Sequence, residues 1–596
     1  MLLDSPAARA AHCTLARLPD IPVTMEGMQP MVHAQINGKD ALFMADSGAF
    51  FSALTRAAVE EFHLRLDPSI RGLYVSGFGG SERAEVAVAD TFTLFGKTWR
   101  NVEFVEAGPD WGRGAVGLLG QNVFRIADVE YDLANGVIRL VKPTDCGNDT
   151  PLAYWAAAAH KPYSVIDIEF ATPQQPHTKS VAYLNGTRIH VMFDTGVKTS
   201  LLTLEAAKRA GITPASEGVT AAGPMGGLGH KVANTWIARF ASFTIGDEEI
   251  QHAQLRFGDI SSPAGTDMMI GSDFFLSHRI YVASSQRKLY FTYNGGPVFD
   301  LTAARAPAAG GNAGAAPEGP AAGGQAPEPA PANARLNEPT DAAGYARRGA
   351  ASAARHDYES AIADLTRACE LAPTESSYFY ERGVAHWQNR QADAALADFD
   401  QAIKLKPDDA DALLARATLR ANRHDPPAAI VADLDAADRA LPKEADARMR
   451  LGELYAYAGQ PAAAVVQFSK WIDARPRDDV RMAAALGARC RARTFAGQEL
   501  RQALEDCNAA VKMKPNTAGL LDSRGLVYLR QGNYDKAIAD YDAALRLQPK
   551  TVWSLYGRGV AKSRKGLSAE GQADVAAATA LDPKIAERAS GYGITP

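Results

Sequence analysis

The sequence predicts a multidomain protein, with an all-β, two-lobed region at the N-terminus and an all-α repeat array at the C-terminus. Three observations support this prediction. A strand-and-turn pattern occurs twice before residue 300, a tract rich in Ala, Pro and Gly follows, and from about residue 341 prolines recur at intervals close to 34 residues. At 596 residues the chain is long enough for several domains.

The changes in composition along the chain suggest five segments. We expect an N-terminal extension over 1–20, a first lobe over 21–150, a second lobe over 151–300, a linker over 301–340 and a repeat domain over 341–596.

The overall composition argues against several classes of protein. A net charge of −5 gives no sign of a nucleic-acid partner, and no apolar run approaches the length that a membrane span needs. The first twelve residues lack the basic and apolar stretches of a secretory signal, although a signal that had been removed would leave no trace. We therefore expect no nucleic-acid partner and no membrane span.

The five cysteines are widely spread: Cys13, Cys146, Cys369, Cys490 and Cys507. None belongs to a Cys-x-x-Cys pair or to a cluster with metal-ligand spacing, so we expect no zinc or other metal site. Cys13 and Cys146 bracket the first lobe, and two interpretations stay open. They form a disulfide in an oxidising compartment, or they are two free thiols.

One tripeptide pattern occurs twice in the N-terminal half, as Asp46-Ser47-Gly48 and as Asp194-Thr195-Gly196. Each follows a mainly apolar run of five residues, which predicts a buried strand that delivers a carboxylate to a tight turn. Glycine lets a second backbone come close, and the hydroxyl residue can fix the turn. Two such turns that face each other could share one proton between two carboxylates and activate a water molecule.

The sequence around each tripeptide is repeated as well. An Asn-Gly hairpin turn begins nine residues before each Asp, at Asn37 and Asn185. A glycine-rich patch follows, over residues 76–80 and 223–229. An apolar run then ends in glycine, 74 residues after the Asp of the first copy and 77 residues after that of the second. These features recur in one order at similar spacing, which indicates an internal duplication.

Together these motifs resemble the retropepsin-like aspartic proteases, and two copies in one chain resemble the bilobal arrangement of the pepsin-like enzymes. The resemblance covers roughly residues 21 to 300. It implies an endopeptidase that hydrolyses a protein or peptide substrate with a dyad of Asp46 and Asp194, and that needs no cofactor. We expect one pKa of the pair to rise and the other to fall, because both carboxyl groups cannot ionise cheaply at short range. The resemblance assigns the support of the active-site turns to Ser47, Gly48, Thr195 and Gly196.

The same resemblance makes the glycine-rich patches into flaps that close over an extended peptide. Phe78 and Met225 either line the substrate groove or simply pack, and the sequence does not separate these alternatives. The flap candidates are Gly77, Phe78, Gly79, Gly80, Met225, Gly226 and Gly227.

Two rival arrangements remain beside the single-chain enzyme. Each lobe could pair with its twin in another chain, or the domain could be a catalytically inactive peptide-binding module on a repeat scaffold. The two intact tripeptides favour the enzyme, since a binding module would not need either Asp. The family resemblance, together with Cys13 and Cys146, favours the bacterial periplasm or envelope over the cytoplasm.

Residues 301–340 are dominated by Ala, Pro and Gly and hold almost no large apolar side chain. Such a segment cannot bury enough surface to offset the entropy of ordering it. We therefore expect a linker, extended where proline is dense.

Beyond the linker the sequence is periodic. Prolines close seven units at intervals of 34, 35, 34, 39, 34 and 34 residues: Pro373, Pro407, Pro442, Pro476, Pro515, Pro549 and Pro583. Small residues recur in phase: Gly349, Gly383, Ala417, Gly452, Gly487, Gly525 and Gly559. This pattern resembles about seven tetratricopeptide repeats, the fifth with an insertion near residues 494–500. Such arrays usually bind peptides or protein partners on a concave face, although the array could also only space or dimerise the chain.

Overall fold

The computed structural model describes residues 13–67, 73–77, 80–107, 114–159, 161–169, 177–226, 232–260, 265–299, 301, 339–443, 445–475, 481–497 and 499–596. The chain divides into two compact units, Met1–Pro373 and Thr374–Pro596. The first is rich in strands and the second is helical, which confirms the predicted fold class. The predicted linker lies almost wholly outside the described residues.

The first unit begins with a lobe of short strands and few helices. Its elements are β1 (Thr14–Arg17), β2 (Ile21–Pro22), β3 (Thr24–Glu26), β4 (Gln29–Ile36), β5 (Lys39–Ala45), β6 (Ala53–Leu54), α1 (Arg56–Glu61), β7 (Arg65–Leu66), β8 (Leu73–Gly77), β9 (Gly80–Leu94), β10 (Lys97–Glu106), β11 (Gly117–Leu119), α2 (Gln121–Phe124), β12 (Asp128–Asp132), a 3-10 turn (Leu133–Asn135) and β13 (Val137–Thr144).

The second lobe repeats this plan. Its elements are α3 (Tyr154–Ala158), β14 (Ser164–Asp167), β15 (Lys179–Leu184), β16 (Thr187–Phe193), β17 (Leu201–Thr203), α4 (Leu204–Arg209), β18 (Thr220–Gly226), β19 (Val232–Arg239), β20 (Ser242–Ile245), β21 (Glu248–Gln251), β22 (Gln254–Gly258), β23 (Met268–Ile270), α5 (Ser272–Ser277), β24 (His278–Ala283) and β25 (Lys288–Tyr293).

The two Asp-bearing strands occupy equivalent places in the two lobes. β5 is the second arm of a hairpin with β4 and pairs on its other side, in parallel, with β11. β16 pairs in the same way with β15 and with β23. Asn37 and Asn185 open the two hairpin turns with φ of 51° and 49°, the left-handed conformation that such turns require. The predicted hairpins are therefore confirmed, and each carries its Asp to the same edge of its sheet.

A seven-stranded sheet, counted over the described residues, joins the lobes. Its central pairing sets β12 of the first lobe against β24 of the second, with Tyr131 opposite Ile280. Glu130 is fully buried in this sheet and pairs with Arg139 at 2.5 Å and with Arg279 at 2.6 Å. Arg139 belongs to the first lobe and Arg279 to the second, so this buried carboxylate bridges the two lobes.

The N-terminal strand β1 also belongs to this sheet, where it pairs with β13. A disulfide between Cys13 and Cys146 links the start of β1 to the segment after β13, with 4.4 Å between the Cα atoms. Of the two interpretations that the sequence left open, the structure therefore has the disulfide. Part of the predicted 1–20 extension is thus integrated into the first unit.

Seven helical hairpins follow in the described residues, and the first of them packs within the first unit. Its helix α6 (Ala342–Ala354) adds Ala351 and Ala354 to the core of the two lobes. The remaining helices are α7 (Tyr358–Leu371), α8 (Ser376–Gln388), α9 (Ala392–Leu405), α10 (Ala410–Asn422), α11 (Pro427–Ala440), α12 (Arg448–Tyr457), α13 (Pro461–Asp473), α14 (Met482–Ala496), α15 (Leu500–Met513), α16 (Ala518–Arg530), α17 (Tyr534–Leu547), α18 (Val552–Arg564), α19 (Ser568–Leu581) and α20 (Ile585–Gly591).

None of the described helices combines the length and the apolar character that crossing a bilayer requires.

The small residues of the repeats lie where the two helices of a hairpin meet. A Cβ on Gly383 would lie 2.7 Å from the ring of Phe399, and one on Gly525 would lie 3.1 Å from the ring of Tyr541. These contacts leave no room for a larger residue on the first helix.

The fifth repeat departs from this arrangement. Gly487 faces Leu520 of the next repeat, so the prediction that it is the in-phase small residue is wrong. Cys490 and Cys507 form a disulfide between α14 and α15. Cys507 follows Asp506 just as Tyr541 follows Asp540, so the disulfide replaces the glycine–aromatic contact.

An ion pair recurs between the two helices of six hairpins. In each, an Arg of the first helix donates two hydrogen bonds to an Asp of the second, 16 or 17 residues later, a geometry that favours a fixed interhelical register. The pairs are Arg348–Asp364, Arg382–Asp398, Arg416–Asp433, Arg489–Asp506, Arg524–Asp540 and Arg558–Asp574.

Candidate active site

The two Asp-bearing turns meet within one chain and exchange hydroxyl groups. Thr195 Oγ1 donates to the carbonyl oxygen of Ala45 at 2.7 Å and accepts from the backbone N–H of Ser47 at 3.0 Å. In the reverse direction, Ser47 Oγ donates to the carbonyl oxygen of Phe193 at 3.2 Å and accepts from the backbone N–H of Thr195 at 3.0 Å. Both side chains are buried. The exchange ties the end of each Asp strand to the other lobe.

Each glycine of the tripeptides makes room for the carboxyl group of the opposite lobe. A Cβ on Gly196 would lie 2.5 Å from the carboxyl carbon of Asp46. A Cβ on Gly48 would overlap the carboxyl group of Asp194. Only glycine allows this approach at either position, so the glycines bring the two carboxyl groups together.

Backbone donors orient both carboxyl groups. Asp46 Oδ1 accepts from the N–H groups of Gly48 and Ala49, both at 2.9 Å. Asp194 Oδ1 accepts from the N–H of Gly196 at 2.9 Å. These bonds fix the inner oxygen of each group and favour the ionised form.

Burial raises the pKa of both carboxyl groups. For Asp46, the nearby charge of Asp194 and a hydrogen bond between the two side chains raise the pKa further, well above the usual range. The same hydrogen bond lowers the pKa of Asp194, but burial outweighs it. The expectation that one pKa rises and the other falls is therefore wrong in its second half.

A second set of hydrogen bonds links each Asp turn to the apolar-Gly motif of its own lobe, and this set is also duplicated. In the first lobe, Ser52 donates through its N–H and its hydroxyl to Asn122 Oδ1 and accepts from the N–H of Gly120. In the second lobe, Ser200 donates to Asp273 and accepts from the N–H of Gly271. The serine six residues after each Asp thus connects its turn to the apolar-Gly motif.

The residue after each of these glycines supports the turn itself. Gln121 Nε2 donates to the carbonyl oxygen of Ser47 at 2.5 Å, and Ser272 Oγ donates to that of Thr195 at 2.9 Å. Sequence reasoning missed both residues, although their equivalent positions in the duplication could have identified them.

Asn122 and Asp273 occupy equivalent positions but differ in charge. Asp273 is buried, and burial raises its pKa to about 6 although Ser200 donates to it. The second lobe therefore carries a titratable group where the first carries a neutral amide.

Two further residues that sequence reasoning missed lie beside the turns. Tyr131 is buried, and its hydroxyl is hydrogen-bonded to the side chain of Ser47; burial raises its pKa. His177 lies against the backbone of Gly48, and burial lowers its pKa, so its ring is neutral at neutral pH. Neither residue type recurs at the equivalent position of the other lobe.

The described residues of the two glycine-rich patches lie in antiparallel strand pairs. Gly77 and Gly80 pair across the β8–β9 hairpin, and Gly226 pairs with Val232 across the β18–β19 hairpin. The tips lie outside the described residues, and with them the flap candidates Phe78, Gly79 and Gly227.

Met225 packs against an apolar cluster of the second lobe that includes Val197, which directly follows the Asp194 turn. In the first lobe, Leu73 and Val75 of β8 pack in the same way on a cluster that contacts Ala49. β8 and β18 therefore each pack on apolar side chains beside the Asp turn of their own lobe.

Comparison with known families agrees with this geometry. A family profile described as aspartyl protease matches the chain twice, over residues 32–123 and 181–274. The N-terminal region is a duplicated aspartyl protease domain. Two further profiles, described as tetratricopeptide repeat and TPR repeat, match residues 380–445 and 525–566, so the aspartyl protease domain is joined to a tetratricopeptide-repeat region. No curated protein matches the chain.

Several solved structures resemble the helical part. YrrB, a TPR protein described as having an unusual peptide-binding site, is 20% identical over 33% of this chain and 97% of its own, with a TM-score of 0.29. A tetratricopeptide repeat protein from Parabacteroides merdae is 16% identical over 42% of this chain and 96% of its own, with a TM-score of 0.33. At these values the resemblance does not extend to ligands or partners.

Replacing Thr195 by Val tests the hydroxyl exchange. The variant keeps the shape but leaves the carbonyl oxygen of Ala45 and the N–H of Ser47 buried without a partner, which should cost roughly 2–6 kcal/mol. Amide hydrogen exchange should accelerate in β5 and β16. Thr195→Ser, which restores the hydroxyl as in the first lobe, is the matched control and should exchange like the wild type. If amides of β5 and β16 exchange at the wild-type rate in the Val variant, the hydroxyl groups do not hold the two lobes together.

Replacing Asp273 by Asn should remove a pH dependence of stability. Since folding raises this pKa from about 3.9 to about 6, the stabilisation is complete below the lower value and is lost as pH rises through the upper one, roughly 3 kcal/mol in all. Between pH 4 and pH 7 the unfolding free energy of the variant should therefore rise relative to that of the wild type. The reciprocal variant Asn122→Asp should introduce the same dependence into the first lobe. A constant difference across this range would show that Asp273 does not titrate there.

Proposed function

We propose that the chain is an aspartic endopeptidase, in which Asp46 and Asp194 activate a water molecule for attack on a peptide bond. The observation that carries the proposal is the reciprocal fit of each Asp to the glycine of the other lobe. This fit brings two carboxyl groups from separate lobes into hydrogen-bond contact, a costly arrangement unless they share a proton.

The two carboxyl groups have different roles in this mechanism. Asp46 holds the shared proton, because both burial and its neighbour raise its pKa. Asp194 is the ionised partner and takes a proton from the attacking water. Asp46 donates its proton to the carbonyl oxygen of the scissile bond as the tetrahedral intermediate forms. The residues Ser47 and Thr195 position the pair without touching the substrate.

The apolar clusters beneath the two flap strands support a peptide substrate with hydrophobic side chains. One cluster flanks each Asp, so an extended peptide laid across the dyad would have an apolar surface on both sides. Residues at alternating positions of an extended peptide point to opposite sides, which suits such an arrangement.

The tetratricopeptide repeats recruit a substrate or a protein partner in this proposal. Repeats of this kind present an extended surface that binds other proteins. Recruitment raises the local concentration of a substrate that binds the dyad cleft only weakly.

Substitution of each Asp tests the proposal. Asp46→Asn and Asp194→Asn should each lower the rate of peptide cleavage by a factor of about 10³ or more, since each variant removes one half of the acid–base pair. Cleavage of a peptide library by the full chain, at pH values from 4 to 7, measures the effect. Asp247→Asn, on an exposed turn, is the matched control and should retain full activity.

A mixture of the two inactive variants distinguishes the remaining arrangements. The mixture should stay inactive, because both turns of a site come from one chain; recovery of activity would indicate lobes that pair between chains. Cleavage that survives in both single variants would rule out the dyad. Peptides that bind the wild-type chain without being cleaved at any pH would identify a binding module.

A further inference from the structure

The segment Ile585–Thr595 contacts three successive repeats. It consists of α20 and the four residues that follow it. Ile585 and Ala589 of α20 are buried and join the core of the seventh hairpin. An end repeat needs such a cover for its apolar edge, so α20 acts as a cap.

The contacts of the residues after α20 extend beyond what a cap needs. Tyr592 packs its ring against Phe495 of α14, two repeats earlier, with 4.3 Å between the ring centroids. Ile594 is 2% exposed in the same apolar cluster. A cover for the seventh repeat alone would not reach the fifth.

Two arginines on successive first helices hold the backbone of this segment. Arg530, at the end of α16, donates to the carbonyl oxygen of Tyr592. Arg564, at the end of α18, donates to the carbonyl oxygen of Thr595 at 2.7 Å. Among the described residues neither arginine has a carboxylate within ion-pair distance. Their partners are main-chain atoms, so this mode of binding does not depend on the side chains of the bound segment.

The pocket around Tyr592 adds a preference for an aromatic residue. Phe495 and Trp553 lie 5.4 Å apart, and the guanidinium of Arg491 lies within 5.7 Å of both rings. Asp522, which is buried, fixes Arg491 at 2.8 Å. A fixed cation beside two adjoining aromatic rings forms a favourable site for a third ring.

We propose that the first-helix face of repeats 5 to 7 is a peptide-binding surface that the chain's own residues 585–595 occupy. A partner that displaces them is an extended segment with an aromatic residue followed two positions later by an aliphatic one, as in Tyr592 and Ile594. The proposal refines the recruitment role given above. It concerns binding alone, so it can fail while the dyad remains active, and it can hold if the dyad is inactive.

Tethering explains why a free peptide would bind this surface of the intact chain only weakly. A segment joined to its own site by a short connection has an effective concentration on the order of millimolar. A free peptide at micromolar concentration therefore competes poorly until the tethered segment is weakened or removed.

Peptide binding to a shortened chain tests the proposal. A labelled synthetic peptide of residues 584–596 should bind the chain that ends at Lys584, and its apparent Kd for the intact chain should be at least tenfold higher. In the shortened chain, Arg530→Ala should weaken binding at least tenfold, because it removes a backbone contact. Arg546→Ala, an exposed arginine of α17, is the matched control and should leave the affinity unchanged. Fluorescence polarisation measures each affinity, and circular dichroism checks that the helices remain.

If the shortened chain loses its helices, a second variant tests whether residues 585–595 occupy a peptide-binding surface. The full-length double variant Tyr592→Ala with Ile594→Ala keeps the α20 cap but weakens the tethered segment. It should bind the labelled peptide more tightly than the intact chain does. No gain in this variant, no binding to a folded shortened chain, or equal binding by the Arg530 and Arg546 variants would each overturn the proposal and leave residues 585–595 as a structural cap.

Discussion

The exchange of hydroxyl groups between Ser47 and Thr195 is the constraint on which the rest of the site depends. Each hydroxyl accepts from the other lobe's turn and donates to the backbone at the end of the other lobe's strand. Four buried hydrogen bonds thereby set the distance between two turns that belong to separate sheets. At that distance only glycine fits beside each Asp, and the two carboxyl groups meet.

The duplication gives the two lobes the same frame but not the same charge. Equivalent strands, hairpins and serine contacts place Asp46 and Asp194 alike, yet the supporting residues differ. Asn122 and Asp273 differ by one ionisable proton, and the hydrogen bond within the dyad raises the pKa of Asp46 while it lowers that of Asp194. A frame with near two-fold symmetry can therefore hold an asymmetric pair, which acid–base chemistry with one proton requires.

The parts of the structure that the sequence predicts are those with a local or repeated signal. The tripeptides, the Asn-Gly hairpins and the proline period are read directly from the chain. The pairing of Asp46 with Asp194 and the supporting role of Ser47 and Thr195 follow from the family resemblance. The contacts of Tyr131 and His177 depend on how two sheets pack, and no local pattern encodes them. The prediction that the pKa of Asp194 falls was wrong for a similar reason. Burial raises this pKa, and burial is a property of the assembled lobes. In the fifth repeat the period of small residues predicted that Gly487 lies between the two helices of the hairpin. The contact between these helices is instead the disulfide of Cys490 and Cys507, one turn later.

Titration of the two carboxyl groups tests the central claim most directly. Carbon-13 labelling of the aspartate side chains, with Asp46→Asn and Asp194→Asn for assignment, lets nuclear magnetic resonance follow each group as pH changes. We expect two coupled steps, both above the pKa of an ordinary aspartate, with one proton retained between the two carboxyl groups and carried mainly by Asp46. Two independent transitions near the ordinary value of about 3.9 would show that the carboxyl groups do not share a proton and would contradict the proposed dyad.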